Sequence, residues 1–199
     1  MNHTILYIHG QGGGPGEAEQ YAPLFPACDV KGFPYRARTP WEAAEEFPKL
    51  FDALCGKSPS VTVIANSIGA WFAMSALSDR PIEKACFISP IVDMEKLIAD
   101  RMARAGVSEA ALREKGEIEI PSGQPLSWEY LRYVREHPIR WTVPTRILYG
   151  GRDDLTSPAA VAAFAEKTGA ALTVMEDGEH WFHTEEQMRF LYRWLKTVG

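Results

Sequence analysis

The chain has 199 residues, of which 46% are hydrophobic and 24% are charged, and its formal net charge at pH 7 is -5. This length and composition fit one globular domain that buries roughly 70% of its unfolded surface, so its core needs neither disulfides nor a metal. The lysines and arginines are scattered without a basic stripe, which argues against a nucleic-acid-binding protein.

The cysteines and the N-terminus indicate a soluble, cytoplasmic protein. Cys28, Cys55 and Cys86 are odd in number and show no C-x-x-C spacing, which is typical of reduced thiols in the cytosol. The N-terminus lacks the basic segment and long apolar run of a signal peptide. Since no window approaches the roughly 20 apolar residues of a membrane helix, we expect no membrane insertion.

Short apolar runs alternate with helix-like segments, a pattern that predicts an α/β fold with a parallel sheet. Strands are predicted at residues 4–8, 29–35, 60–65, 84–89, 145–149 and 171–176. Helices are predicted at residues 18–25, 41–54, 68–79, 158–167 and 185–198. Pro34 indicates that the second strand lies at an edge or ends early, and Pro48 is expected to kink or split the helix that contains it.

Residues 91–143 interrupt this alternation between the fourth and fifth predicted strands. They contain predicted helices at 94–105, from Ser108 and at 128–136, with an extended stretch at 117–120. Because a structureless loop of this length is improbable in a compact domain, we predict a small, mainly helical cap, with 1–90 and 144–199 as the core. The alternative is a structural excursion that shields the edge of the sheet.

Ser67 lies where a predicted strand meets a predicted helix. Residues 61–64 form a short apolar, β-branched run, and the string ANSIGA at 65–70 leads into a helix-compatible run. This is the arrangement of a nucleophile elbow, with Ala65 in place of the first glycine of G-x-S-x-G. The alternative is a serine that only caps the N-terminus of the helix.

A glycine-rich string, HGQGGG at residues 9–14, follows the first predicted strand. It lacks the Gly-Lys-Ser/Thr ending of a phosphate loop, and Pro15 breaks the register of a dinucleotide-binding motif. Glycine also lets a backbone approach a reacting carbonyl, which favours an oxyanion loop with the amides of Gln11 and Ile68 as donors. A flexible turn remains the alternative.

Candidate acid and base residues follow the last two predicted strands. Asp153 is preferred over Asp154 because Leu155 then follows the acid as an apolar anchor, although either aspartate could be a turn residue. His180 follows a glycine-containing turn, and His183 is its rival. The carboxyl ends of parallel strands share one edge, and one right-handed crossover separates these two loops, so we expect them to converge near the serine.

With these motifs, the chain resembles small serine α/β hydrolases of the esterase, lipase and thioesterase type over essentially its whole length. The matching strings are residues 9–13, 65–69, 150–153 and 178–180, in the chain order serine, acid, histidine. The resemblance implies the α/β-hydrolase fold, with a mostly parallel sheet of about six strands, helices on both faces and a small cap. The first two antiparallel strands of the family are expected to be missing.

The resemblance implies a serine hydrolase that cleaves a carboxylic ester through an acyl-enzyme. His180 would take the proton of Ser67, Asp153 would orient the imidazole, and the amides of Gln11 and Ile68 would stabilise the oxyanion. No cofactor or metal is expected, since the H-E-x-x-H spacing and its variants are absent. A serine nucleophile also argues against a dehalogenase, which needs a carboxylate at that position.

A substrate pocket is expected between the sheet edge and the cap. Its candidate lining residues are apolar or aromatic: Ile91, Met94, Trp128, Tyr130, Tyr133, Trp141 and Trp181. The alternative is that these residues are ordinary core.

The expected partner is a small-molecule acyl ester. Alternatives are thioesterase, amidase, peptidase or acyltransferase chemistry on the same residues, or a binding protein without activity; nothing indicates an oligomeric state.

Overall fold

The computed structural model describes residues 3–121 and 124–197. They divide into two compact units, of which the first runs up to Val92 and resumes at Arg140, while the second is Asp93–Ile139. Val198, at the end of the last predicted helix, lies outside the described residues. Among the helices that are described, none combines the length and hydrophobicity needed to cross a membrane.

The strands lie close to where the sequence predicts them. In chain order they are β1 (Thr4–Ile8), β2 (Asp29–Gly32), β3 (Val61–Asn66), β4 (Lys84–Ile88), β5 (Glu117–Ile118), β6 (Leu126–Ser127), β7 (Thr145–Gly150) and β8 (Ala171–Met175). Within the described residues, one sheet of six parallel strands has the order β2-β1-β3-β4-β7-β8. The predicted parallel sheet is therefore confirmed, and β2 is an edge strand.

The helices also follow the predicted alternation. They are α1 (Pro40–Cys55), α2 (Ile68–Ala76), α3 (Met94–Ala105), α4 (Glu109–Lys115), α5 (Trp128–Glu136), α6 (Pro158–Thr168) and α7 (Glu185–Lys196). Thr39, Ser157 and Thr184 cap α1, α6 and α7 with side-chain hydrogen bonds to backbone amides.

One helix prediction is wrong in detail. An α-helix over residues 18–25 is replaced by two short 3-10 helices, Pro15–Gln20 and Ala22–Leu24, because Pro23 has no N–H to continue an α-helical ladder. The helix α1 runs through Pro48 without a split, and the kink expected there stays a prediction. Its buried face carries Phe47 and Phe51 on either side of the proline, and their burial offsets the missing hydrogen bond.

Both faces of the sheet are covered by helical segments. On one face, Tyr7, Ile64 and Leu148 pack in one cluster with Leu191 and Trp194 of α7. Side chains alternate along a strand, so the neighbouring residues point to the opposite face. The residues on this opposite face are also fully buried and include Leu6, Ile8, Val63 and Phe87. On that side α1 and α2 contact each other through Phe47 and Phe72, whose ring centroids are 5.8 Å apart.

The parallel sheet brings distant chain segments to one edge. Ile8 pairs with Ala65 in the register of β1 and β3, and Gly150 pairs with Met175 in the register of β7 and β8. Since all six strands run the same way, the segments that follow β1, β3, β7 and β8 begin at the same edge.

The second unit contains α3, α4, α5 and the antiparallel pair β5–β6. Arg135 joins its helices by ion pairs to Glu95 and Glu109, each 2.7 Å long. The bounds of α3 and α5 are those predicted from the sequence. The function of this unit as a cap stays a prediction.

Candidate active site

Ser67 occupies a strained turn between β3 and α2. Its φ is 51° and its ψ is -119°, a backbone conformation that non-glycine residues rarely adopt. Among the described residues, Ser89 is the other non-glycine residue with a positive φ. The amide of Ser67 donates to the carbonyl of Ile88 (3.0 Å), and the carbonyl of Ser67 accepts from the amide of Ile91 (3.2 Å). The surrounding chain therefore holds the turn in place.

The sharp turn needs small residues two positions away from the serine. Ala65 is fully buried and is paired with Ile8 on one side and Phe87 on the other. A Cβ atom added to Gly69 would lie 2.3 Å from the carbonyl oxygen of His9. The first turn of α2 thus packs directly on the end of β1, which leaves space for glycine only.

We expect Gly69→Ala to lower the free energy of unfolding by about 1–3 kcal/mol, because the new Cβ would overlap backbone of a central strand. Urea denaturation of the purified variant measures this. Gly16→Ala is the matched control, since an added Cβ there meets no described atom within 4 Å. Equal stability of the two variants would contradict the close packing of α2 on β1.

Three side chains from three loops form a continuous hydrogen-bond chain. The distance from Ser67 Oγ to His180 Nε2 is 2.9 Å, and from His180 Nδ1 to Asp153 Oδ2 it is 2.7 Å. Because an ionised carboxylate only accepts, Nδ1 carries the proton and Nε2 accepts from the serine hydroxyl. The structure therefore brings together the three residues that the sequence selected, and the hydrogen bond from His180 Nδ1 goes to Asp153.

Asp153 is shielded from solvent and saturated with hydrogen-bond donors. Its side chain is 0% exposed. Oδ1 accepts from the amides of Leu155 (2.8 Å) and Thr156 (2.9 Å), and Oδ2 also accepts from the Thr156 hydroxyl (2.9 Å). Burial by itself raises the pKa of Asp153, but the hydrogen bond and charge of His180 and the two amides bring it below its ordinary value. The carboxylate stays ionised and orients the imidazole.

The free energy of unfolding of the wild-type chain should fall more steeply on acidification than that of Asp153→Asn. The pKa of Asp153 is lower in the folded than in the unfolded chain, so its stabilisation is present above about pH 4 and is lost as the pH falls further. Urea denaturation between about pH 6 and pH 3 tests this linkage. Parallel curves for the two proteins would contradict the lowered pKa.

The loops that carry the acid and the base are packed against each other. The amide of Arg152 donates to the carbonyl of Gly178, and the amide of Gly151 donates to the carbonyl of Met175, both at 2.8 Å. A Cβ added to Gly150 would lie 2.5 Å from the carbonyl oxygen of Glu179. Glycines at the end of β7 therefore permit a close backbone contact that fixes the two loops relative to each other.

The glycine-rich loop after β1 adjoins the serine. A Cβ added to Gly10 would lie 3.3 Å from the Cβ of Ser67, so the residue before Gln11 is in contact with the turn. Ile68 is the first residue of α2, and its amide therefore has no acceptor within the helix. The two predicted donors, Gln11 and Ile68, belong to segments that meet at Ser67.

The other predicted site residues are divided between the two units. Trp181, next to His180, is 69% exposed. Its ring stacks on His183, with centroids 4.8 Å apart. Met94, Trp128 and Tyr133 belong to the second unit, where Tyr133 stacks on His137 at 3.9 Å. Their assignment to a substrate pocket stays a prediction.

Sequence reasoning missed two partners of the site. Thr156 binds Asp153 through both its amide and its hydroxyl, and the spacing Asp-x-x-Thr at a turn is a signal that could have indicated this contact. Glu17 binds Tyr7 across the glycine-rich loop, and no local pattern indicates that pair. Within residues 3–121 and 124–197, no cluster of three or more His, Cys, Asp or Glu residues could hold a metal ion.

Comparison with known proteins identifies the fold. No protein-family model and no curated protein matches the sequence. Among solved structures, alpha/beta hydrolase domain-containing protein 10 from mouse matches with a TM-score of 0.74 and 15% identity over 98% of this chain and 88% of that one. The monoacylglycerol lipase of Paleococcus ferrophilus matches with a TM-score of 0.63 and 17% identity, over 98% and 95% of the two chains.

A Pyrococcus furiosus esterase is also similar, with a TM-score of 0.61 and 22% identity over 100% of this chain and 80% of that one. The chain therefore has the α/β-hydrolase fold, which confirms the fold predicted from the sequence. At these identities the comparisons define the fold, and the chemistry has to be argued from the site.

Proposed function

We propose that the chain is a serine hydrolase that cleaves carboxylic esters through an acyl-enzyme. The observation that carries the proposal is the hydrogen-bond chain from Ser67 through His180 to Asp153, which begins at a serine held in a strained strand-to-helix turn. A serine that only caps a helix needs neither a histidine hydrogen-bonded to its hydroxyl nor a buried carboxylate hydrogen-bonded to that histidine.

In the acylation step, Ser67 Oγ attacks the carbonyl carbon of the ester while its proton passes to His180 Nε2. Asp153 stabilises the imidazolium that forms, since its buried carboxylate is 2.7 Å from Nδ1. The tetrahedral intermediate collapses when the bond to the alcohol oxygen breaks. The alcohol leaves with the proton from Nε2, and the acyl group stays on Ser67.

In the deacylation step, a water molecule gives a proton to His180 Nε2 and attacks the acyl carbon. The bond to Ser67 Oγ then breaks, the serine recovers its proton from Nε2, and the carboxylic acid is released. In both steps the negative charge of the intermediate develops on the former carbonyl oxygen. The amides of Gln11 and Ile68 donate to this oxygen, and each such donor contributes about 3 kcal/mol in comparable sites.

An ester is preferred as the substrate for two reasons. Among proteins of this fold, two similar ones are named as a monoacylglycerol lipase and an esterase. The exposed ring of Trp181, one residue from His180 and 69% accessible, also offers an apolar surface to an acyl or aryl group. We therefore propose a small-molecule ester with an apolar substituent.

Cys55 and Cys86 do not compete with Ser67 for the role of nucleophile. Burial raises the pKa of the Cys55 thiol to about 11 and that of the Cys86 thiol to about 12, so both stay protonated at neutral pH. All three cysteines are free thiols, which supports a reducing, cytoplasmic location.

Labelling with a fluorophosphonate probe, combined with a panel of p-nitrophenyl esters, thioesters and aminoacyl anilides, tests the proposal. We expect labelling of the wild-type chain and none of Ser67→Ala, with the esters turned over fastest. Ser89→Ala is a matched control, since Ser89 also has a positive φ, of 42°, but forms no part of the hydrogen-bond chain. Equal labelling of the wild-type chain and Ser67→Ala would refute the proposal.

A further inference from the structure

The glycine-rich loop needs an external restraint if it is to present a fixed donor. Glycine loses more conformational freedom on ordering than any other residue, and this loop has glycine at four of its six positions, residues 9–14. Gly12 adopts a left-handed conformation with a φ of 79°. Inside the loop, one backbone bond joins the amide of Gly13 to the carbonyl of Gly10 (3.2 Å). An oxyanion donor works only when it is held in place before the reaction.

Glu17 supplies such a restraint with both of its carboxylate oxygens. Oε1 accepts from the amide of Gly14 (3.0 Å), at the end of the loop. Oε2 accepts from the hydroxyl of Tyr7 (2.5 Å). The loop also packs against this carboxylate, since a Cβ added to Gly13 would collide with Oε1. One side chain therefore connects the far end of the loop to β1, from which the loop starts.

Tyr7 is a rigid anchor for this connection. It is 1% exposed in the middle of the sheet, and its ring contacts that of Tyr21 at 5.0 Å. Burial, the neighbouring Tyr21 and the hydrogen bond to Glu17 raise the pKa of Tyr7 far above its ordinary value. The hydroxyl thus stays protonated at any physiological pH and acts as a permanent donor to the carboxylate.

We propose that Glu17 is a positioning residue for catalysis, which fixes the glycine-rich loop and the Gln11 amide on β1 through Tyr7. This inference rests on the proposed function, because Glu17 affects catalysis through the position of the oxyanion donor. The carboxylate of Glu17 binds Tyr7 and Gly14, so its effect on the reaction passes through the loop. Glu17 fixes the position of the Gln11 amide at the moment when negative charge develops on the carbonyl oxygen.

A simpler role for Glu17 is that of a helix cap. Glu17 is the third residue of the 3-10 helix Pro15–Gln20, and its bond to the amide of Gly14 is half of a capping box. A cap alone would stabilise the chain and leave kcat unchanged. The second oxygen, bound to the buried hydroxyl of Tyr7, is not needed for capping, and the two roles therefore differ in their effect on kcat.

The test compares Glu17→Ala and Tyr7→Phe with the control Glu19→Ala, an exposed glutamate of the same 3-10 helix. With a p-nitrophenyl ester, we expect Glu17→Ala to lower kcat by about 10-fold to 100-fold, less than the loss of a whole donor, while KM stays nearly constant. We expect amide hydrogen exchange in residues 10–14 to be faster in Glu17→Ala and unchanged in Glu19→Ala.

Tyr7→Phe keeps the buried ring and removes only the hydroxyl, so it tests the connection even if Glu17→Ala folds poorly. If the hydroxyl acts through Glu17, Tyr7→Phe lowers kcat in the wild-type background and has no further effect in the Glu17→Ala background. The inference is overturned if the wild-type chain is active and Glu17→Ala or Tyr7→Phe matches its kcat, whatever the change in melting temperature. The proposed function fails instead if the wild-type chain is no more active than Ser67→Ala.

Discussion

Replacing His180 by alanine is expected to lower kcat for ester hydrolysis by about six orders of magnitude. Without the imidazole at 2.9 Å, no group takes the proton of Ser67 Oγ as it attacks. Single-turnover and steady-state assays with a p-nitrophenyl ester measure the loss. Because the serine and the histidine act as one unit, the double variant with Ser67→Ala should be no slower than either single variant.

His183→Ala is the matched control for this experiment. His183 lies three residues further along the chain, stacks on Trp181 and pairs with Glu179 at 3.3 Å, so its ring is engaged away from Ser67. We expect its kcat to stay within about threefold of wild type, as for a surface substitution. A large loss in His183→Ala together with a small loss in His180→Ala would reverse the assignment of the base.

Asp153→Asn should lower kcat by about four orders of magnitude while the chain stays folded. The amides of Leu155 and Thr156 both donate to Oδ1, so the amide oxygen of asparagine would take that position. Its NH2 group would then face Nδ1 of His180 and force the proton of the imidazole onto Nε2. A protonated Nε2 cannot accept the proton of Ser67.

Asp154→Asn separates this effect from a general change in charge at the loop. It removes the same charge one residue away from the carboxylate that contacts His180, and we expect less than a threefold change in kcat. Initial rates of the wild-type chain, Asp153→Asn and Asp154→Asn with the same p-nitrophenyl ester measure both effects. Full activity in Asp153→Asn would contradict the role of the carboxylate.

Much of the fold could be predicted because local and global signals agree. The strands β1, β3 and β7 are short apolar runs followed by turn residues, and the parallel order follows from the alternation of strands with helices. The segment Pro15–Gln20 was harder to predict. Its composition allows an α-helix, while Pro15 and its backbone contact with Gly32 favour a short 3-10 helix, and that contact depends on the assembled sheet.

The three residues of the hydrogen-bond chain could be predicted because each follows a strand and has a restricted set of neighbours. Ser67 has a small residue two positions away on each side. Asp153 lies two residues after a pair of glycines, and His180 lies two residues after the glycine of a turn. The pairing of Tyr7 with Glu17 could not be predicted, since it joins a strand to a 3-10 helix across a loop. Whether this pair forms depends on the path of the glycine-rich loop between the two residues.

The close contact between the loops after β7 and β8 determines how this site can move. With the amides of Gly151 and Arg152 bound to the carbonyls of Met175 and Gly178, the carboxylate of Asp153 and the imidazole of His180 are carried on one rigid support. We expect thermal motion of that support to preserve the 2.7 Å bond between them and to vary the 2.9 Å distance to Ser67. In the proposed reaction, the proton of Ser67 would therefore cross the distance that this motion changes.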